Sequence, residues 1–162
     1  MAGPIDAGSS DGIVLARPEA TILDTHAMEW EDHYGIKGGK MKVLSRDDDG
    51  LPSVVLTWVP PGMTSLNPRG PERHYHRTVT ERGLVLFGEL PMLEYESLDD
   101  PSPRRIVLKP GYYLDRRPGS VHGVDHEAPS QVGFMWVEWR IGRSHFQAAE
   151  GAAEENVVEF LE

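Results

Sequence analysis

Short apolar segments separated by glycine and proline dominate the pattern of this chain. Segments rich in Val, Leu, Trp, Tyr and Phe, each bounded by turn residues, are predicted to be β-strands. These predicted strands cover residues 41–46, 53–59, 72–77, 84–90, 92–95, 104–108, 112–115 and 131–140. Turn signals such as Lys109-Pro110-Gly111 and Pro118-Gly119 lie between them. Short strands with this spacing predict an all-β sandwich or barrel.

Only the carboxyl-terminal tail has helical spacing. Ser144 and Gln147 resemble a capping box. Apolar residues recur near helical spacing at Phe146, Ala149, Ala153, Val157 and Phe160. We therefore predict a short helix in the tail, residues 141–162, packed on the outer surface of a sheet rather than binding a partner. The rest divides into an amino-terminal arm, residues 1–39, and a barrel of about residues 40–140, all in a single domain of 162 residues.

Charge and composition restrict the partners. The chain has 16 Lys and Arg against 26 Asp and Glu, and its net charge of -10 would repel phosphate backbones and anionic bilayers. It has no cysteine, so any metal must be bound by histidine and carboxylate. The opening residues lack the pattern of an export signal, and no apolar run has the length of a membrane span. We expect a cytoplasmic protein that binds a small molecule and neither nucleic acid nor membrane.

Two histidines two residues apart are the main candidates for chemistry. In a strand, His74 and His76 would face the same side and could bind one metal ion. Taken alone, such a pair is more often ordinary surface. Glu81 supports the interpretation as a metal site if residues 77–80 form a turn or bulge that brings its side chain to the same face. His122 adds a third imidazole from another strand. Three imidazoles and a carboxylate suit first-row divalent metals.

These residues resemble the two sequence motifs of the cupins. In Gly-x5-His-x-His-x3or4-Glu-x6-Gly, the matches are His74, His76, Glu81 and Gly88, while Pro68 stands at the leading glycine. In Gly-x5-Pro-x-Gly-x2-His-x3-Asn, the matches are Gly111, Gly119 and His122, with Arg117 at the proline and His126 at the asparagine. The resemblance is strong over about residues 53–126. The upstream segment resembles small single-domain cupins of the acetylacetone-dioxygenase and ChrR-like kind.

The resemblance implies a jelly-roll barrel, often a homodimer, with one divalent metal on His74, His76, His122 and usually Glu81. It favours a non-haem Fe(II) dioxygenase for a small dicarbonyl, enol or phenolic substrate, with Mn(II), Ni(II) or Zn(II) as other metals. Water, Glu81 or His126 would take the substrate proton, so Glu81 and His126 are the candidate catalytic residues. The alternatives are a non-oxidative isomerase, lyase, cyclase or decarboxylase and a metabolite-binding or sensor protein without turnover.

The sequence also predicts where several other side chains lie. Phe87 shares strand parity with Glu81 and Val85, which predicts a place in the pocket wall. Arg116 and Arg117 could bind a substrate carboxylate, but charged residues beside a turn are usually solvated. The remaining histidines of the arm, His26 and His33, are expected at the surface.

Overall fold

The fold is built from strands throughout the part of the chain that can be described. A computed structural model describes residues 12–17, 20–33, 36, 38–48, 50–62 and 73–142, and within them it contains eleven strands and no helix. The strands are β1 (Ile13–Arg17), β2 (Ala20–Leu23), β3 (Glu31–Asp32), β4 (Lys40–Arg46), β5 (Pro52–Val59), β6 (Thr80–Gly88), β7 (Leu90–Glu94), β8 (Arg104–Leu108), β9 (Tyr113–Arg116), β10 (His122–Val124) and β11 (Phe134–Ile141).

The strands form two main antiparallel sheets. The larger has the order β3-β4-β5-β11-β6-β9, the smaller has the order β10-β7-β8, and β1 and β2 form a separate hairpin. Neighbours such as β5 and β11 are far apart in sequence, as in a jelly roll. The structure thus confirms the predicted all-β jelly-roll fold.

The two sheets pack face to face around a divided interior. A smaller apolar cluster contains Met41 and Val55. The main apolar part is a cluster contributed by both sheets, in which burial of each large side chain contributes roughly 1.5–3 kcal/mol. That cluster consists of Val59, Val85, Leu90, Met92, Phe134 and Trp136. The other part, where β6 begins and β11 ends, is polar. We call it the polar layer, and its charged members are Glu81, Glu94, Arg116, Glu138 and Arg140.

Seven of the eight predicted strands correspond to observed strands, with ends displaced by up to four residues. The exception is 72–77, because residues 73–77 contain only an isolated bridge between His74 and His122. The short strands β1, β2, β3 and β10 were not predicted. The predicted turns are confirmed at Gly111 and Gly119, whose φ angles of 88° and 87° favour glycine.

Phe87 does not line the interior, so the parity argument for it was wrong. The pairing of β6 with β11 shifts register between Val85 and Phe87, and this bulge interrupts the alternation of inward and outward side chains. Val85 is 1% exposed whereas Phe87 is 51% exposed. Phe87 packs on Trp58 instead, with ring centroids 5.8 Å apart.

The predicted tail helix begins at residues outside the described part of the chain, so it stays a prediction. Among the described residues there is no helix long and apolar enough to cross a membrane.

Candidate metal centre

Three imidazoles meet inside the barrel. One ring nitrogen from each of His74, His76 and His122 lies within 4.8 Å of the corresponding nitrogens of the other two. The centroid of the His74 ring is 4.2 Å from that of His122 and 5.3 Å from that of His76. The structure therefore brings together the three histidines that the sequence motifs single out.

Backbone pairing places two of these rings side by side. The amide of His74 donates to the carbonyl of His122, and the amide of His122 donates back, both at 2.8 Å. This reciprocal pair joins the segment before β6 to the first residue of β10. The carbonyl of His76 accepts a 2.9 Å hydrogen bond from the amide of Gly119, in the turn before β10. The two histidine segments are thus fixed to each other by main-chain bonds rather than by a shared strand.

A hydrogen bond defines the tautomer of His122, which is 1% exposed. Its Nδ1 atom lies 2.9 Å from the carbonyl oxygen of Ser120. Because a carbonyl only accepts, Nδ1 must carry a proton and donate it. In the neutral ring the lone pair is therefore on Nε2, which is the arrangement typical of a metal-ligating histidine.

His76 supplies a second available lone pair. Burial, followed by the nearby charge of Arg140, lowers its pKa to about 3. The ring is therefore neutral at physiological pH. Its Nε2 atom is buried and has no hydrogen-bond partner among the described residues. A buried polar atom without a partner is costly, and a bound cation would remove that cost.

Glu81 reaches the histidines from the adjacent sheet. Bends at Arg77 and Thr78 precede β6, so the predicted break between His76 and Glu81 is present. The Oε2 atom of Glu81 lies 3.2 Å from Nε2 of His122. Two acceptor atoms at this distance require a proton or a metal ion near both. Ligands bound at about 2.1 Å and at right angles lie about 3 Å apart, so the separation suits either a shared proton or a shared metal.

The charge of Glu81 is balanced by a residue that was expected in solvent. Glu81 and Arg116 are directly opposite each other on β6 and β9, and Nη1 of Arg116 lies 3.1 Å from Oε2. Burial opposes ionisation of Glu81, but His122 and Arg116 outweigh it and hold its pKa well below the usual value. Arg116 is 6% exposed and also contacts Glu94, so its predicted solvation was wrong. Arg117 is exposed as expected.

The other histidines are separate from this group. His126 lies beyond the end of β10 and is not one of the three clustered histidines. His26 is exposed, as predicted. His33 is only partly exposed, and burial, followed by the charge of Arg140, lowers its pKa to about 4, so its placement at the surface was wrong.

Three members of the polar layer were not identified from sequence, namely Glu94, Glu138 and Arg140. Glu138 and Arg140 lie on the inner face of β11, and Arg140 Nε donates to Glu138 Oε1. Burial raises the pKa of Glu138. The available signal was that both residues share the parity of Phe134 and Trp136, which are buried in the apolar cluster.

The residues fit a divalent transition metal. The donor set consists of imidazole nitrogens with one carboxylate oxygen nearby, and three histidines leave coordination positions for water or substrate. Arrangements of this kind serve Lewis-acid chemistry.

Comparisons with known proteins agree with the fold. No protein-family model matches the chain, and no curated protein matches it significantly. Among solved structures, KdgF from Halomonas sp. matches at 17% identity and a TM-score of 0.52, over 74% of this chain and 91% of that one. An RmlC-like cupin from Shewanella frigidimarina matches at 19% identity and a TM-score of 0.50, over 74% and 86%. The chain therefore has a cupin-type fold.

Proposed function

We propose that this protein is a metal-dependent cupin enzyme of the non-haem Fe(II) dioxygenase type, similar to the acetylacetone-dioxygenase and ChrR-like cupins. Its substrate would be a small dicarbonyl, enol or phenol. The observation that carries the proposal is the cluster of His74, His76 and His122 inside a cupin-type barrel, where one nitrogen from each ring lies within 4.8 Å of the other two.

The three histidines would hold the metal, with Glu81 as a further ligand or as its close neighbour. Fe(II), when bound, would supply dioxygen activation and a Lewis acid. The polar layer would orient the substrate, and the apolar cluster beside it would limit the access of water.

The contacts of Glu81 help to decide which group removes the substrate proton. Arg116 keeps its carboxylate ionised and its pKa low, which makes it a weak base. His126 and water are then the stronger candidates for removing the substrate proton. The catalytic roles of Glu81 and His126 remain predictions.

A non-oxidative isomerase, lyase, cyclase or decarboxylase is the second candidate, and one observation favours it. Burial raises the pKa of Glu138, so this residue can carry a proton closer to neutral pH than an ordinary carboxyl does. An acid of this kind beside a Lewis acid suits chemistry that does not require oxygen.

Metal-specific turnover tests the proposal. Protein would be reconstituted separately with Fe(II), Mn(II), Ni(II) and Zn(II) and screened with β-diketones, enols and phenols, with and without oxygen. We expect Fe(II)-dependent oxygen uptake that His76→Ala abolishes and that His26→Ala, at an exposed position, leaves unchanged. Equal turnover without oxygen would favour the second candidate. Tight binding of a metabolite without turnover under any condition would favour a sensor.

A further inference from the structure

A buried arginine lies beside the three histidines on the strand next to Glu81. Arg140 on β11 is the register partner of Glu81 on β6, and Glu81 is the partner of Arg116 on β9. Adjacent strands are about 4.8 Å apart. Three neighbouring strands thus present a row of positive, negative and positive side chains on the inner face of the sheet.

The side chain of Arg140 is near the histidines and is not sealed off. It is 12% exposed, compared with 7% for Arg116. Arg140 is directly opposite Glu81, whose Oε2 atom lies 3.2 Å from Nε2 of His122. A ligand that approaches His122 beside Glu81 therefore comes near this guanidinium.

A bound divalent metal would leave the polar layer with an excess of positive charge. Two guanidinium groups, Arg116 and Arg140, face three carboxylates, Glu81, Glu94 and Glu138. With all three carboxyl groups ionised, the protein groups sum to minus one, and a divalent ion would bring the sum to plus one. A proton on Glu138 would make the sum still more positive. A buried excess of positive charge is unfavourable until an anion balances it.

We propose that the substrate carries a carboxylate, which Arg140 binds while another oxygen of the same molecule approaches the metal. This inference rests on the proposed function and narrows its substrate class to anionic dicarbonyl or enol compounds. Arg140 is paired with Glu138, and its side chain is the more exposed of the two arginines. Arg116 lies between Glu81 and Glu94. A planar guanidinium can offer parallel N–H groups to a carboxylate, and this geometry distinguishes an acid from its neutral analogue.

The test compares two probes that differ by one carboxylate. 2,4-Dioxopentanoate and 2,4-pentanedione present the same β-dicarbonyl unit, and only the first is a carboxylate. Each would be titrated into Co(II)-loaded protein, with the visible spectrum of Co(II) as the readout and elemental analysis as the measure of metal content. We expect the wild type to bind the acid about ten to a hundred times more tightly, as a charge-assisted hydrogen bond implies.

Variants of Arg140 test whether this residue causes the preference for the carboxylate probe. Arg140→Gln should abolish it without changing metal content, and Arg140→Lys should restore part of it. Arg104→Gln, at an exposed position on β8, is the matched control and should retain it. Because Arg140→Gln leaves Glu138 buried without its partner, the double variant Glu138→Gln/Arg140→Gln provides a second test with a neutral pair.

The outcomes separate this inference from the proposed function. The role of Arg140 would be overturned if metal-loaded wild type binds both probes equally. It would also be overturned if the preference for the acid survives in Arg140→Gln and in Glu138→Gln/Arg140→Gln. Either result would leave the metal site intact. Folded protein that binds no Co(II) would overturn the proposed function together with this inference.

Discussion

Replacement of Arg116 by glutamine tests the buried charge pairing that supports the histidine cluster. The side chains of Arg116 and Glu81 are 7% and 5% exposed, and the contact between them is 3.1 Å long. Arg116→Gln removes the cation and leaves the carboxylate of Glu81 in the interior. Removing one partner of a buried ion pair costs about 3–5 kcal/mol. Glu94, at 33% exposed, can be rehydrated and should add little.

The free energy of unfolding would be measured by urea titration with tryptophan fluorescence, in the presence of EDTA so that metal content is constant. Arg117→Gln is the control, because Arg117 is adjacent in sequence and exposed. An exposed substitution of this kind should change stability by less than about 0.5 kcal/mol.

A double variant identifies the cause. Arg116→Gln combined with Glu81→Gln removes both charges, so it should be more stable than Arg116→Gln alone. If Arg116→Gln is as stable as Arg117→Gln, the pair does not stabilise the interior and the reasoning about Glu81 is refuted.

Two further effects on stability are expected. Gly88→Ala should be more destabilising than Gly111→Ala by at least about 1 kcal/mol in urea titrations. Both glycines have positive φ, but only at Gly88 would the new Cβ lie 2.0 Å from a backbone oxygen, that of Gly133. Equal losses of stability would contradict this steric explanation. Acid should destabilise the fold through His33, since its pKa is about 4 in the folded protein and that of an unperturbed histidine is 6.5. The unfolded chain binds more protons between these values, so this contribution is present above pH 6.5 and is lost as the pH falls toward 4. Because a pKa difference of one corresponds to about 1.4 kcal/mol, the loss of stability is at most about 3.5 kcal/mol. Thermal unfolding from pH 7 to pH 4 should show a smaller decline in His33→Gln than in the wild type or in His26→Gln, and parallel declines in all three would contradict the assignment.

The fold could be predicted because the turns and strands that the local sequence favours are also those of the folded barrel. Glycine and proline mark the turns, and the segments between them are long enough for their apolar character to be recognised. β10 could not be recognised in this way, because it has three residues and begins with His122 followed by Gly123. It is defined by pairing with β7 rather than by its own composition.

The histidine cluster was predicted for a reason that was only partly right. His74 and His76 were expected to share one face of a strand, but the segment makes only an isolated bridge, and the two rings converge through main-chain bonds to His122 and Gly119. The break before Glu81 was predicted correctly, because a five-residue separation cannot keep the same face in a continuous strand.

The inward positions of Glu138 and Arg140 could not be predicted, because the sequence of β11 favours the opposite face of the strand as the core face. Its wholly apolar alternation, Met135, Val137 and Trp139, suggests a core face. The structure instead places Phe134, Trp136, Glu138 and Arg140 inward. Charged residues at inward positions are recognisable only when the strands that supply their partners are known.

Metal binding by the three histidines is the central claim, and X-ray absorption together with elemental analysis tests it most directly. Wild-type protein exposed to Fe(II), Mn(II), Ni(II) or Zn(II) should retain about one equivalent of a divalent metal with three imidazoles in its coordination sphere. His76→Ala should lose the metal, and His26→Ala should keep it. Folded wild-type protein that retains no metal, or a metal whose sphere is unchanged by His76→Ala, would contradict the account.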